Sequence, residues 1–323
     1  MARPKILLTR RWPEAVERRL AQTYDASFNL ADEPMGREAM AEALRTCEAV
    51  CPTVSDTLDA ALLEAGRGAV RILGNYGVGV NHMDLDACRR LGLVVTNTPD
   101  VLTDATAEIA VLLMLMAARR GGEGERHLRG GDWSGWRPTH MMGAQVTGKT
   151  LGLVGFGRIA QAVARKAHRG FGMRILYYSR RAAPAEIEAE CGSERCEALD
   201  KLLAESDFVS LHCPGGAETH HLIDAGRLAA MKTSAFLINT ARGSVVDEAA
   251  LAETLAARRI AGAGLDVYEH EPRVTSGLLQ LENVVLFPHL GSGTLETRVA
   301  MGMRVADNLD AFFAGEAPPD RIA

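Results

Sequence analysis

Three places late in the chain carry side chains suited to moving a proton beside a bound organic acid: Arg242, the acidic run GLDVYEHEP from Gly264 to Pro272, and His289. Each stands just past a short apolar run of strand length. Asn239-Thr240-Ala241-Arg242-Gly243 closes the run at 235–239, the acidic cluster closes 263–267, and Phe287-Pro288-His289-Leu290-Gly291 closes 284–287. Ligands of open α/β sheets bind outside the carboxyl ends of the strands, so three successive strand mouths would present these groups together. A guanidinium there can hold a carboxylate through two parallel hydrogen bonds and polarise an adjoining carbonyl. A carboxylate bonded to an imidazole orients the ring and favours its protonated form, which makes it a proton donor near neutral pH. Taken singly, each residue reads more readily as structural, an ion pair or a packed ring, than as catalytic; it is their shared position that points to catalysis.

A second chemistry-bearing stretch is KTLGLVGFGRIAQAVA, from Lys149 to Ala164. It reads as strand, tight turn at Gly155-Phe156-Gly157, then helix from Arg158 and Ile159. A glycine pair between a buried strand and a helix start lets the backbone approach a pyrophosphate, whose charge rests on the helix's unpaired N–H groups. A dinucleotide is the expected guest. Ala160 takes the place of the third glycine, where only smallness is required. NAD enzymes of this kind end the next strand with Asp or Glu about 20 residues beyond the glycines, to accept the ribose hydroxyls. Here that strand ends Tyr178-Ser179-Arg180-Arg181, with no acid. Serine and arginines attract a 2′-phosphate, so NADP(H) is the expected preference and NAD(H) the alternative.

The elements that must position these groups alternate along the chain. Strand-like runs fall at 5–9, 49–54, 70–75 and 93–97, with helical runs at 13–24 and 57–66. The stretch 103–120 reads as one long apolar helix, and the glycine- and tryptophan-bearing stretch 121–148 as an irregular crossing segment. Six further strands, at 151–154, 174–178, 208–212, 235–239, 263–267 and 284–287, alternate with helices, the number a complete dinucleotide fold needs. A final helix covers 294–313. Short alternating elements predict α/β architecture with two doubly wound parallel sheets: residues 1–99 with 292–323 as a flavodoxin-like substrate domain, 100–291 as a Rossmann nucleotide domain, and a ligand cleft between them.

Composition narrows the field. At 323 residues the chain can form two cores, and a net charge of -5 offers no global basic surface for nucleic acid. No stretch approaches the roughly 20 apolar residues of a membrane span, and no signal peptide is read at the N-terminus. Six cysteines without CxxC spacing read as reduced packing thiols, which points to the cytoplasm. No metal is expected: adjacent His220 and His221 on a strand would face opposite sides, with no carboxylate to complete a site.

Several motifs in order, NYGVGVNHMD at 75–84, VGFGRIA, LHCPGGAETHHLI at 211–223, INTARGSVVDEAAL at 238–251, GLDVYEHEP and PHLGSGT, give a chain that resembles the D-isomer-specific 2-hydroxyacid dehydrogenases, most closely their glyoxylate/hydroxypyruvate reductase branch. The resemblance implies a substrate-gripping arginine at Arg242, a histidine acid/base at His289 and its glutamate partner at Glu271. It implies carboxylate binding by the Val78 and Gly79 backbone, and cofactor contacts at Thr106, Gly155, Gly157, Arg158, Ile159, Cys213, Pro214, Thr219, Thr240, Ala241, Asp266, His289 and Gly291. A small 2-oxo or 2-hydroxy acid substrate and a homodimer follow from the same resemblance. Gly215-Gly216 departs from the bulkier residues usual there. The competing readings are a phosphoglycerate- or D-lactate-type dehydrogenase and a nicotinamide-sensing, corepressor-like binding protein.

Overall fold

The computed structural model describes residues 2–323, which group into two compact units, 2–102 with 293–323, and 103–292. In the first, strands β1 (Lys5–Leu8), β2 (Asp25–Phe28), β3 (Ala49–Cys51), β4 (Ile72–Gly74) and β5 (Val94–Thr96) form a parallel sheet in the order β2-β1-β3-β4-β5. The inner strands β3 and β4 are buried throughout, which is why they read as unbroken apolar runs. Sequence reading passes over β2 and the Arg37–Thr46 helix. β2 is an edge strand of alternating exposed and half-buried residues with polar Asp25 and Ser27, so it carries no apolar signal.

The loop after β4 is built by its own side chains. Asn75 Nδ2 donates to the carbonyls of Gly77 and Gly79 at 2.9 and 3.0 Å. Tyr76 packs its ring at a tilt against Trp12, centroids 4.3 Å apart, and donates its hydroxyl to the Arg298 carbonyl at 2.6 Å. Gly74 leaves room for Val305 of the Leu295–Phe313 helix; a Cβ there would lie 2.9 Å from the valine methyl.

The second unit holds β6 (Thr150–Val154), β7 (Arg174–Tyr178), β8 (Ser193–Arg195), β9 (Phe208–Leu211), β10 (Phe236–Asn239), β11 (Gly262–Leu265) and β12 (Val284–Leu286), parallel and ordered β12-β11-β10-β9-β6-β7-β8. The sheet has seven strands instead of the six expected, because β8 is a three-residue polar edge strand, Ser-Glu-Arg, with no apolar pattern. From β6 the chain winds outward in one direction to β7 and β8, and in the other to β9, so β6 and β9 flank the topological switch point where such sheets bind ligands. The Thr103–Ala118 helix lies on β10, β11 and β12 and on the Arg158–Phe171 helix, and Gly264 lets it approach: a Cβ there would stand 2.9 Å from that of Leu113. The crossing segment is not wholly irregular, since Gly121–Arg129 is helical with Glu123 in its first turn and Arg126 and Arg129 in its last, complementing the helix dipole.

Candidate active site

The β6 turn has the form of a phosphate cradle. Gly155 sits at φ +87°, and a Cβ on it would lie 2.7 Å from the Cys213 nitrogen and 2.8 Å from the His212 carbonyl. Only glycine fits between those two chain segments. Gly157 caps the fourteen-residue Arg158–Phe171 helix with no side-chain hydrogen bond, and nothing lies within 4 Å of where its Cβ would be. The helix therefore begins at a glycine with room beside it, at its positive end. Ala160 is fully buried, as close helix–sheet packing demands.

Beyond β7, Ser179, Arg180 and Arg181 form a turn in which the Ser179 carbonyl accepts from Arg195 Nη2 at 3.3 Å and Arg180 pairs with Glu218 at 2.9 Å. Across the switch point, Cys213 and Pro214 follow β9, and Thr219 Oγ1 donates to the Pro214 carbonyl at 2.7 Å, closing that loop on itself. Burial pushes the Cys213 thiol up to about 11, so it remains a neutral packing group. Gly215, unusual by comparison with the resemblance, has a local reason: a Cβ there would meet Arg242 Cγ at 2.9 Å.

Arg242 stands on the loop that ends β10. Asn239, the last residue of the strand, shapes this loop from both ends, accepting from Ala241 N–H and donating to the Arg242 carbonyl, both at 3.0 Å. Gly243 then passes so close to Tyr268 and Glu269 that a Cβ would come within 1.8 Å of backbone. The Arg242 side chain is half-buried, with Nη1 donating to the Ala241 carbonyl at 2.7 Å. Burial holds its pKa below the ordinary guanidinium value against the opposing charge of Glu271. Beside it, the Thr240 hydroxyl is buried without a hydrogen-bond partner.

The turn after β11 supplies the acid. Tyr268 anchors it, donating its hydroxyl to the Phe287 carbonyl at 2.8 Å, while its N–H donates to Glu271 Oε1 at 3.0 Å. The other Glu271 oxygen lies 2.8 Å from His289 Nδ1. Of the acids in this run, Glu271 is the one whose carboxylate meets the imidazole. Burial pushes its carboxyl upward, but the His289 contact, the Tyr268 N–H and the Arg242 charge outweigh that and hold it below the usual carboxylate range. Arg242, Glu271 and His289 thus act on one another electrostatically, although the first and last are 47 positions apart (289 minus 242).

His289 is itself in the left-handed region, φ +56°, with its N–H on the Asp266 carbonyl at 2.9 Å. The next two N–H groups, of Leu290 and Gly291, bind the Asp266 carboxylate at 2.6 and 2.7 Å. Burial raises the Asp266 carboxyl above its ordinary value, against these two donors. Thr106, Asp266 and Gly291 converge: a Cβ on Gly291 would lie 3.3 Å from Asp266 Oδ2 and 3.4 Å from the Thr106 methyl. Val78 and Gly79 belong to the other unit, in the loop held by Asn75, and neither N–H donates to another backbone group.

One sequence expectation fails here. His220 and His221 do not lie on a strand; they follow the Ala217–Thr219 turn, and the left-handed backbone of His221 (φ +47°) brings both rings to one side. They stack at 4.0 Å, and His221 Nε2 lies 2.8 Å from Glu269 Oε1. Sequence reading also misses Asn239, Glu218 and Glu269, whose parts are set by loop geometry; the only signal for Asn239 is an amide ending an otherwise apolar strand.

A sequence model of the D-isomer specific 2-hydroxyacid dehydrogenase NAD binding domain matches residues 111–291. The chain belongs to that family. This dehydrogenase is 45% identical to the glyoxylate reductase of Thermococcus onnurineus over 324 aligned residues, covering 99% of this chain and 96% of the relative. Among solved structures it superimposes on an NADPH-dependent glyoxylate/hydroxypyruvate reductase of Sinorhizobium meliloti in complex with NADP and malonate, with TM-score 0.89 and 34% identity over 100% of this chain and 97% of the other. A glyoxylate reductase from Paecilomyes thermophila gives TM-score 0.87 at 34% identity over 100% and 99%. The two parallel-sheet domains and the use of a nicotinamide dinucleotide on a CH–OH group are thereby established for this dehydrogenase. Its residues fit such a cofactor: the open, uncapped helix end at Gly157 and the unpartnered Thr240 hydroxyl are what a diphosphate and a polar ring substituent would satisfy.

Proposed function

We propose that this dehydrogenase reduces small 2-oxo acids, glyoxylate and hydroxypyruvate, to D-2-hydroxy acids, with Arg242, Glu271 and His289 as its catalytic residues. The observation that carries the proposal is the His289–Glu271 contact at 2.8 Å beside a half-buried arginine. When bound, the reduced nicotinamide supplies the hydride. Arg242 holds the substrate carboxylate and the carbonyl oxygen, and its charge matters most when that oxygen becomes an alkoxide. Glu271 holds the His289 imidazole through its Nδ1, and His289 passes a proton to the developing alkoxide. In the reverse direction the same ring takes the proton back. The Val78 and Gly79 N–H groups are proposed to bind the substrate carboxylate, and Asp266 and Thr106 to fix the nicotinamide amide side.

The cofactor is proposed to be NADPH. At the end of β7 a carboxylate would repel a 2′-phosphate, whereas Ser179, Arg180 and Arg181 attract it, with the phosphate taking the place of Glu218 on Arg180. Steady-state reduction of glyoxylate and hydroxypyruvate with each cofactor tests both proposals. NADPH is expected to give the higher kcat/KM, and Arg180→Ala to lower it about tenfold while sparing NADH, the effect of losing one charged hydrogen bond. Wild-type preference for NADH would overturn the cofactor assignment, and no turnover with any 2-oxo acid would overturn the function. A cytoplasmic homodimer is part of the same proposal. Trp133, Trp136 and Met142 are 53, 80 and 67% exposed on the second unit, and light scattering at micromolar concentration is expected to give twice the chain mass.

A further inference from the structure

We propose that His220, His221 and Glu269 form a binding site for a borderline divalent transition ion, zinc being the defining probe. His221 Nε2 lies 2.8 Å and His220 Nε2 3.4 Å from the same oxygen, Glu269 Oε1. The three ligand atoms all lie within 4.8 Å of one another. Zinc binds imidazole nitrogen and carboxylate oxygen at about 2.0–2.2 Å, so two ligands of one tetrahedral ion stand roughly 3.3 Å apart. The His220–Glu269 edge, at 3.4 Å, already has that spacing, and the His221–Glu269 edge, at 2.8 Å, must open to admit the ion. Two imidazoles with one carboxylate suit zinc, copper or nickel, whereas magnesium and calcium favour all-oxygen shells.

The ligands are unequally mobile. Glu269 is held from behind: its N–H donates to buried Glu248 Oε1 at 2.7 Å, and its side chain is 18% exposed. His221 is tied through its N–H to the Ser244 carbonyl at 2.8 Å. His220, 56% exposed, is the ligand that turns to meet the ion, its ring now within 25° of parallel to His221. The left-handed conformation of His221 places two adjacent histidines on one side of the chain, an arrangement unfavourable for a non-glycine residue and frequent at functional sites. An ion held here would tie the loop beyond β9 to the turn bearing Glu269, two residues before Glu271, and so would stiffen the acid beside His289.

The test uses untagged full-length protein titrated with zinc chloride in competition with a chromophoric chelator, and with cobalt(II) followed by its visible ligand-field absorption. Wild type is expected to bind one zinc and to give the intense spectrum of a tetrahedral nitrogen–oxygen site. His220→Gln, His221→Gln and Glu269→Gln are each expected to weaken binding by at least about tenfold, since even supporting residues of metal sites cost that much. His220→Gln, at an exposed position, keeps the fold and the reduction of glyoxylate. Zinc is also expected to raise the Tm of wild type and not of that variant. No zinc taken from the chelator, or equal uptake by wild type and all three variants, overturns the site; the rings would then be sharing a carboxylate as a surface hydrogen-bond group only.

Discussion

Replacing Glu271 by Gln removes a charge from the imidazole while keeping an acceptor of the same shape. Glu271 Oε2 and His289 Nδ1 are 2.8 Å apart, with side chains 34 and 32% exposed. Two unit charges about 4 Å apart in an effective dielectric of about 20 interact by roughly 4 kcal/mol. Solvent screening at this exposure and the hydrogen bond that Gln retains reduce the loss to about 1–2 kcal/mol. The assay is kcat/KM for NADPH-dependent reduction of glyoxylate against pH. The alkaline limb is expected to move to lower pH in Glu271→Gln, with little change in the acid plateau, because the substitution leaves Arg242 and His289 in place.

Stability carries the complementary sign. Glu271 is held below its ordinary carboxylate range in the folded protein, so its ion pair contributes above that ordinary value and is lost as pH falls through the lower folded one. The difference in denaturation midpoint between wild type and Glu271→Gln is therefore expected to vanish in acid. An unmoved alkaline limb would refute the coupling between the two side chains. So would a variant as slow at low pH as one lacking the imidazole.

Gly155→Ala forces a Cβ into backbone at 2.7 Å from a φ of +87°. It is expected to weaken NADPH binding about tenfold or more, as a strain of about 1–3 kcal/mol implies, measured by fluorescence titration; unchanged affinity would contradict the role of the β6 turn. In the other unit, Asp320 accepts from Arg304 at 2.6 and 2.7 Å with its side chain only 4% exposed. Arg304→Met leaves that carboxylate buried and half-partnered, and urea denaturation is expected to show a loss of about 2–3 kcal/mol, less than a fully buried pair because the arginine is partly in water.

The inner strands and the glycine loop were legible because burial on both faces writes an unbroken apolar run, and because a turn against Cys213 admits no side chain. Edge strands β2 and β8 were not. Paired on one side only, they carry polar residues such as Ser27 and Glu194 that a buried strand excludes. The strand-end positions of Arg242 and His289 followed from the apolar runs that precede them, but the choice of Glu271 over Glu269 did not. That choice is made by a turn pinned through the Tyr268 hydroxyl, with Glu269 drawn instead to His221. The two histidines were misread for the same kind of reason: a single left-handed residue undoes the alternation that a strand would have imposed.

The most direct test of the central claim is kcat for glyoxylate reduction by His289→Asn with saturating NADPH. Loss of a general acid costs about 10²- to 10⁴-fold, so kcat is expected to fall by that factor while NADPH still binds with wild-type affinity. A variant that turns over at the wild-type rate would show that His289 does not protonate the product.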